Sequence, residues 1–318
     1  MTAAPNILDL PLERLDGRPA HLAGDAIIAV SCVRNESLRL PYFLDYYRRL
    51  GIDRFFFIDN SSDDGTTDYL LGQPDAHVYL ASGSYAASRC GVTWINEVLA
   101  RHGTGHWALT VDADEILVYP SCEQASLRDL VRHLDATGAS SLQAFMLDMY
   151  AAGPIGAAGY QPGTDFLATC SYFDTDSYGV RDARNLPRSG GPRYRLFWEG
   201  RDNPRPAPFL EKFPLVKWTG GTSYDKSTHI LSGGRPAEVT GVLLHFKLFA
   251  DFYDQAAREA ARGEHWDGAH QYRTYWSVLR SDPSLSAFYR GSARYGGSSQ
   301  LEGLGFMLRG GWDGQARP

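Results

Sequence analysis

The chain has 318 residues, 43% of them hydrophobic, which is enough to bury a full core and excludes wholesale disorder. A formal net charge of -6 leaves no basic excess to track a phosphate backbone, so a nucleic-acid partner is not expected. The four cysteines, Cys32, Cys90, Cys122 and Cys170, show neither metal-ligand nor disulfide-framework spacing and read as reduced thiols.

Residues 1–25 read as an N-terminal extension. Charged residues and prolines interrupt its apolar positions, unlike the basic-then-apolar pattern of a secretion signal. No stretch approaches the ~20 apolar residues that cross a bilayer. A cytoplasmic protein without a transmembrane segment is expected, with peripheral contact to a membrane surface left open.

Residues 26–33 form a continuous β-branched run, as in a strand covered on both faces. Leu40, Phe43, Leu44, Tyr47 and Leu50 then recur at helical spacing, with Pro41 suited to a first turn and Gly51 to a left-handed cap. A second strand is expected at 54–58, a polar turn at 59–67 running into a short helix, and a third strand at 77–81. A helix is expected over 88–101, and residues 107–111 form the next strand, which runs into Asp112-Ala113-Asp114-Glu115. Ser126 and Asp129 have capping-box spacing at the start of another helix, and a strand follows at 141–148. Strands alternating with helices imply a mostly parallel sheet with helices on both faces. Residues 151–205, rich in Gly, Pro, Tyr and Arg, read as long loops. A late strand is expected at 241–249 and a helix at 251–262.

The acidic tetrad carries the chemistry. Alternation along an extended chain would place Asp112 and Asp114 on one side and turn Glu115 away. Two adjacent carboxylates repel unless a cation or proton lies between them, and parallel sheets collect ligands at the carboxyl ends of their strands. A divalent ion held there takes its other ligands from water and substrate phosphates. A bare Asp-x-Asp is more often a solvated turn; here its surroundings favour the site. Asn60 to Gly65 superficially suggests a calcium loop, but the twelfth position from Asn60 is Leu71 instead of a bidentate Glu.

Ile28 to Glu36 (IAVSCVRNE), Phe57 to Thr66 (FIDNSSDDGT) and Leu109 to Val118 (LTVDADEILV) resemble the three leading motifs of family 2-like glycosyltransferases, and they occur in the same order. The resemblance is closest to the bacterial branch with C-x-R-N-E and D-x-D-E motifs; it is specific over 26–120 and fades toward residue 270. It implies a GT-A (Rossmann-like) α/β fold, a three-layer α/β/α sandwich with a mostly parallel central sheet. Residues 26–150 would be the nucleotide-sugar-binding half, 151–290 a loop-rich acceptor-side half of the same domain, and 291–318 a tail. The implied activity is metal-dependent transfer of a sugar, with inversion, from a UDP- or GDP-sugar. The acceptor would be a hydroxyl of a glycan, a lipid-linked sugar or a small molecule, as in polysaccharide biosynthesis, and the ion Mn2+ or Mg2+.

Position by position, the resemblance implies that residues 30–34, with Val33 and Arg34 at the end, line the base, and that Asp59 contacts base or ribose beside Asn60. Arg89, Trp94 and Asn96 would face the donor pocket from the helix before the acidic strand. Asp112, with Ala113, would be nearer the ribose and Asp114 would bind the metal. Arg34 has a bland competitor in an ion pair with Glu36, and Trp94 in core packing.

In the second half, His245 and Lys247 share one side of an extended apolar run. His245 could complete the metal site and Lys247 neutralise a diphosphate as a point charge. The resemblance supports that role for His245. His229 is a second candidate ligand, set in a polar loop. Lys212 and Lys217 read as surface residues. An inverting enzyme needs a carboxylate base for the acceptor hydroxyl, and Asp148 and Glu211 are the candidates. Tyr172, Phe173, Tyr178, Tyr194, Phe197 and Trp198 would suit sugar stacking, in an enzyme or in a carbohydrate- or nucleotide-binding protein without turnover. A sugar-nucleotide nucleotidyltransferase is the other enzyme reading. It would want a glycine-rich basic loop after the first strand, where Arg34-Asn35-Glu36 stands instead.

Overall fold

The computed structural model describes residues 11–201, 203 and 206–315. The start of the expected extension (1–10), part of the loop region (202, 204, 205) and the end of the expected tail (316–318) lie outside the described residues. The strands are β1 (Leu12–Arg14), β2 (Ile27–Val33), β3 (Arg54–Asp59), β4 (Ala76–Ala81), β5 (Trp107–Thr110), β6 (Glu115–Val118), β7 (Ser141–Asp148), β8 (Tyr172–Asp174), β9 (Glu211–Lys217), β10 (Ser223–Tyr224), β11 (Leu231–Ser232), β12 (Gly241–His245) and β13 (Ser292–Arg294). The helices are α1 (Leu40–Leu50), α2 (Thr66–Leu71), α3 (Val92–His102), α4 (Leu127–Ala136), α5 (Phe166–Thr169), α6 (Gly191–Phe197), α7 (Phe252–Arg262), α8 (Trp266–Ser281) and α9 (Ser298–Gly303). Among the described residues, no helix is long and apolar enough to cross a membrane.

The chain forms two compact units, Met1–Ala113 with Ser126–Leu142 and Phe213–Ala237, and Asp114–Ala125 with Gln143–Lys212 and Glu238–Pro318. Both expected halves, 26–150 and 151–290, are thus shared between the units rather than divided at residue 150.

In the first unit a mixed α/β, Rossmann-like arrangement is built on strand order β1-β4-β3-β2-β5-β9. The inner pairs β4-β3, β3-β2 and β2-β5 are parallel, and β1 and β9 add antiparallel partners on either side. Period-two alternation explains how both faces are covered. Phe56 and Ile58 pack with Trp94, Val98 and Leu99 of α3, while Phe57 meets Phe43 of α1 edge-on at 6.1 Å. Gly51 ends α1 at φ 106°, where a side chain would be strained. The capping box of α4 forms in full: Asp129 N–H donates to Ser126 Oγ at 3.2 Å, and Ser126 N–H donates to Asp129 Oδ2 at 3.0 Å.

The second unit is organised around β7-β12-β6, with β12 parallel to β7 and antiparallel to β6. Its apolar cluster joins α6, α7 and α8 through Phe197, Phe252 and Tyr275. The expected loop region contains short elements, including α5, β8 and α6. Phe173, Tyr178, Phe197 and Trp198 are buried there, so four of the six aromatics expected to stack on sugar are core residues instead; Tyr194 is exposed.

Candidate active site

Strand order β4-β3-β2-β5 reverses direction at β2. The chain builds outward from β2 through β3 to β4, then crosses back to lay β5 on the other side of β2. The crevice outside the carboxyl ends at such a reversal is where open α/β sheets bind ligands. Val33 closes β2 and is followed by the half-buried Arg34; Thr110 closes β5 and is followed closely by the exposed Asp112. On the same strands, the buried hydroxyls of Ser31 and Thr110 make no hydrogen bond among the described residues. Sequence reasoning missed both, because neither residue type stands out within a strand.

The first two motifs fit each other. Asn35, at φ 56°, donates from its backbone to Ser62 Oγ at 2.9 Å and from Nδ2 to Asp63 Oδ1 at 2.7 Å. Asp63 N–H returns a bond to Asn35 Oδ1 at 2.9 Å, and Glu36 N–H reaches Thr66 Oγ1 at 2.9 Å. Asp59 is fully buried; its Oδ1 accepts from Ser62 N–H at 2.9 Å and Ser62 Oγ at 2.6 Å, and its Oδ2 accepts from Thr67 Oγ1. These carboxylates hold turns together, which explains the calcium-loop look of the segment without a calcium. Asp59 therefore supports the loop from beneath and offers no exposed edge to a base. Asn60 is also buried, donating to the carbonyls of Ala81 at 2.8 Å and Gly83 at 3.1 Å. Arg34 donates to the Asn60 carbonyl, while Glu36 pairs with Arg39 at 3.2 Å, so the suggested Arg34–Glu36 pair does not form.

The helix expected from residue 88 starts at Val92. Arg89 and Cys90 adopt φ near 58° and 56° in the turn ahead of it, and the exposed Arg89 donates to the Asp225 carbonyl at 2.6 Å. Trp94 is fully buried in the core. Asn96 clamps β10 with both ends of its amide, donating to the Tyr224 carbonyl at 2.8 Å and accepting from Tyr224 N–H at 3.0 Å. Trp94 and Asn96 thus hold the scaffold together.

The strand expected to run into the acidic tetrad stops at Thr110, and a turn separates it from β6. Alternation therefore does not carry through: Asp112 is exposed, Ala113 buried, and Asp114 and Glu115 both buried. Glu115 does not turn to solvent; it pairs with Lys212 at 2.6 Å, and the expected surface lysine is 3% exposed. Lys217 is partly exposed beside Asp135 at 2.7 Å.

In the second unit, β12 sets His245 opposite Asp148 on one side and Glu115 on the other. His245 Nδ1 lies 2.6 Å from Asp148 Oδ1, and His245 Nε2 lies 3.4 Å from Asp114 Oδ2. The other oxygen of Asp148 accepts from Arg193 Nε at 2.8 Å. Burial pushes the Asp148 carboxyl up, but Arg193 and His245 outweigh it and hold the group below the usual carboxylate range. Burial lowers His245, yet the Asp114 charge overcomes this and leaves the imidazole raised. Asp148 is 1% exposed with both oxygens engaged, so it orients His245 and cannot take a proton from an acceptor. Glu211 is partly exposed and pairs with Arg188 at 3.0 Å.

Among the described residues, no group of three or more His, Cys, Asp or Glu side chains converges on a point suited to a metal ion. Asp114 and His245 fit a smaller share of a coordination shell. Their 3.4 Å separation suits two donors each roughly 2.1 Å from one small divalent ion. A histidine whose Nδ1–H is held by a carboxylate presents Nε2 outward, the usual support for an imidazole ligand. Asp112 is exposed while Asp114 is buried, and His229 lies in the 225–230 turn of the first unit.

Lys247, two residues beyond His245, is 9% exposed and donates to Tyr272 Oη at 3.0 Å. Arg193, Tyr272 and Tyr275 were not singled out by sequence reasoning. They come from helices α6 and α8, far in sequence from any motif, and no local signal marks them.

No family model matches the sequence, and no curated protein matches it. Among solved structures, one similar chain is 4-diphosphocytidyl-2C-methyl-D-erythritol synthase, at 17% identity and TM-score 0.26 over 41% of this chain. The match spans 64% of that chain, less than two thirds of its length, and a TM-score of this size adds no argument about fold or chemistry.

Proposed function

We propose that the protein is a transferase that moves a sugar from a nucleotide-diphosphate sugar, a UDP- or GDP-sugar, to a hydroxyl acceptor. The observation that carries this reading is the position of Arg34 and Asp112. They follow the carboxyl ends of the two neighbouring strands at the reversal of strand order, where a nucleotide is expected to lie. The motif resemblance at these same residues supports it.

In this reading the half-buried Arg34 supplies positive charge to the donor and the exposed carboxylate of Asp112 accepts from ribose hydroxyls. In the second unit Asp114 and His245 are the residues that would hold Mn2+ or Mg2+, with Asp148 fixing the imidazole. Such an ion, when bound, stabilises the charge of a departing diphosphate. Glu211 is the reachable carboxylate for the base role, because Asp148 is closed off.

The test is a thermal-shift screen of UDP- and GDP-sugars with and without Mn2+, followed by detection of released nucleoside diphosphate. A bound donor at a hundredfold excess over Kd should add about 2.7 kcal/mol of stability. If no nucleotide sugar stabilised the protein, the reading would be lost. Release of pyrophosphate from a nucleoside triphosphate and a sugar phosphate would transfer it to nucleotidyl transfer. Sugar binding without turnover, unaffected by Asp114→Ala, would leave a binding protein.

A further inference from the structure

The second unit contains a buried cluster of cationic and hydroxyl donors whose capacity the protein itself does not use up. Lys247 is 9% exposed, yet among the described residues no carboxylate lies within ion-pair distance of its ammonium. Its direct polar contact is the neutral Tyr272 hydroxyl at 3.0 Å, and the rings of Tyr272 and Phe252 lie 5.1 and 5.6 Å from Nζ. An ammonium carries three donors, and a desolvated charge without a counter-ion is costly.

The second cation is Arg193, 5% exposed, with Nε committed to Asp148 at 2.8 Å. Among the described residues, neither its Nη2 nor the Tyr275 hydroxyl, 1% exposed, meets an acceptor in good hydrogen-bond geometry, and the two groups reach no more than a loose contact with each other. The Tyr275 phenol is close enough to feel both Arg193 and Lys247. It also packs beside Tyr272, with ring centroids 5.7 Å apart. Native interiors rarely leave such donors unmatched, and two unmatched donors beside an uncompensated ammonium call for one acceptor of matching charge.

We propose that Lys247, Arg193, Tyr275 and Tyr272 form a binding subsite for a tetrahedral phosphate oxyanion. A carboxylate offers two acceptor atoms in one plane, whereas a phosphate offers three oxygens spread over a cone, suited to donors arriving from β12's extension, α6 and α8. Arg193 thereby links the subsite to Asp148 and so to the His245 position. The subsite deepens the proposed function and rests on that reading only for its role, since phosphate binding itself is measurable alone. The phosphate could belong to the donor's diphosphate or to a phosphorylated acceptor.

Isothermal titration of the full chain with inorganic phosphate and pyrophosphate, in chelator so that no metal contributes, tests the subsite. Wild-type protein should bind pyrophosphate. Tyr275→Phe, which deletes one oxygen and keeps the ring, should weaken binding about fivefold to tenfold, and Lys247→Met more than tenfold. Circular dichroism establishes that the variants are folded, and Tyr275→Phe guards against a misfolded Lys247→Met. Parallel titrations with UDP and with an alkyl phosphate identify the source: the ligand whose affinity falls in both variants is the one that the subsite serves. No pyrophosphate binding by the wild type, or equal binding by folded variants, would overturn the inference. Nucleotide-sugar binding that survives in those variants would leave the proposed function standing without the subsite. Loss of pyrophosphate affinity in a protein that binds no nucleotide sugar would leave the subsite without that function.

Discussion

The two units treat charge in opposite ways. In the first, the polar residues beyond the strand ends are tied to one another by turn hydrogen bonds, as in the Asn35–Asp63 exchange and the Asp59–Ser62 bonds, Arg34 is half-buried, and Arg89 and Asp112 are exposed. In the second, Asp114, Glu115, Asp148, Arg193, Lys212, His245 and Lys247 are all buried. Loops of the first kind can receive a ligand at little cost to the scaffold. Groups of the second kind depend on their neighbours for their charge state, because desolvation magnifies every pairing and every missing partner.

The largest effect that probes this contrast is on stability. Lys212→Met strips the buried Glu115 of its partner and should cost about 3–5 kcal/mol in urea denaturation. Adding Glu115→Gln should recover part of that loss. The half-exposed Lys217–Asp135 pair has a similar distance, 2.7 Å, but lies in the first unit, and Lys217→Met should cost less than about 1 kcal/mol. Equal losses would erase the distinction between the units.

Metal affinity sharpens the same comparison inside the acidic motif. Asp114→Ala should weaken Mn2+ binding by about a hundredfold or more, equivalent to about 2.7 kcal/mol, whereas Asp112→Ala should change it by less than about tenfold. Comparable losses would restore the paired-carboxylate picture that the turn at residues 111–114 argues against.

That turn shows where the sequence stops being informative. The strands and helices of the first unit follow from local pattern: α1 with its Gly51 cap and the α4 capping box both lie where periodicity puts them. Strand alternation carried through Glu115 runs five residues too far, past Thr110, because nothing local announces that a new strand pairing with β12 begins at Glu115. The buried pairings of the second unit are set by contacts between residues 97 apart for Lys212–Glu115 and 45 apart for Arg193–Asp148, a separation that no window of periodicity spans. His245 and Lys247 were visible because charged residues in an apolar run stand out; their partners were not.

A smaller effect tests whether Asp148 orients His245. Asp148→Asn keeps the shape but loses the carboxylate that fixes the ring, and should reduce Mn2+ affinity by about 10–100-fold, which is about 1.4–2.7 kcal/mol. Unchanged affinity with the ring free to rotate would make the contact incidental. Wild-type affinity should also fall on acidification, because the raised His245 takes up a proton on the nitrogen that a metal would need.

The smallest effect belongs to the first unit and concerns histidines without any ligand. His102 stacks on Phe56 at 4.5 Å, and its Nε2 lies 2.7 Å from Tyr79 Oη. Burial, with Arg14 next, depresses its pKa to about 4, and the neighbouring His77 is lowered in the same direction, chiefly by burial. A folded pKa below the unfolded value of about 6.5 means that the unfolded chain binds more protons between those limits, so stability is full above pH ~6.5 and declines as pH falls toward ~4. For His102 the decline should be about 1–2 kcal/mol, discounted for a ring that is only partly buried. Urea titrations at pH 7.5 and pH 4.5 measure it, and His102→Phe should flatten the difference. The carboxylate of Asp16 does not confuse the measurement. Burial opposes its charge, but Arg14 and His77 hold its pKa low, so its contribution is lost only at a pH below this window.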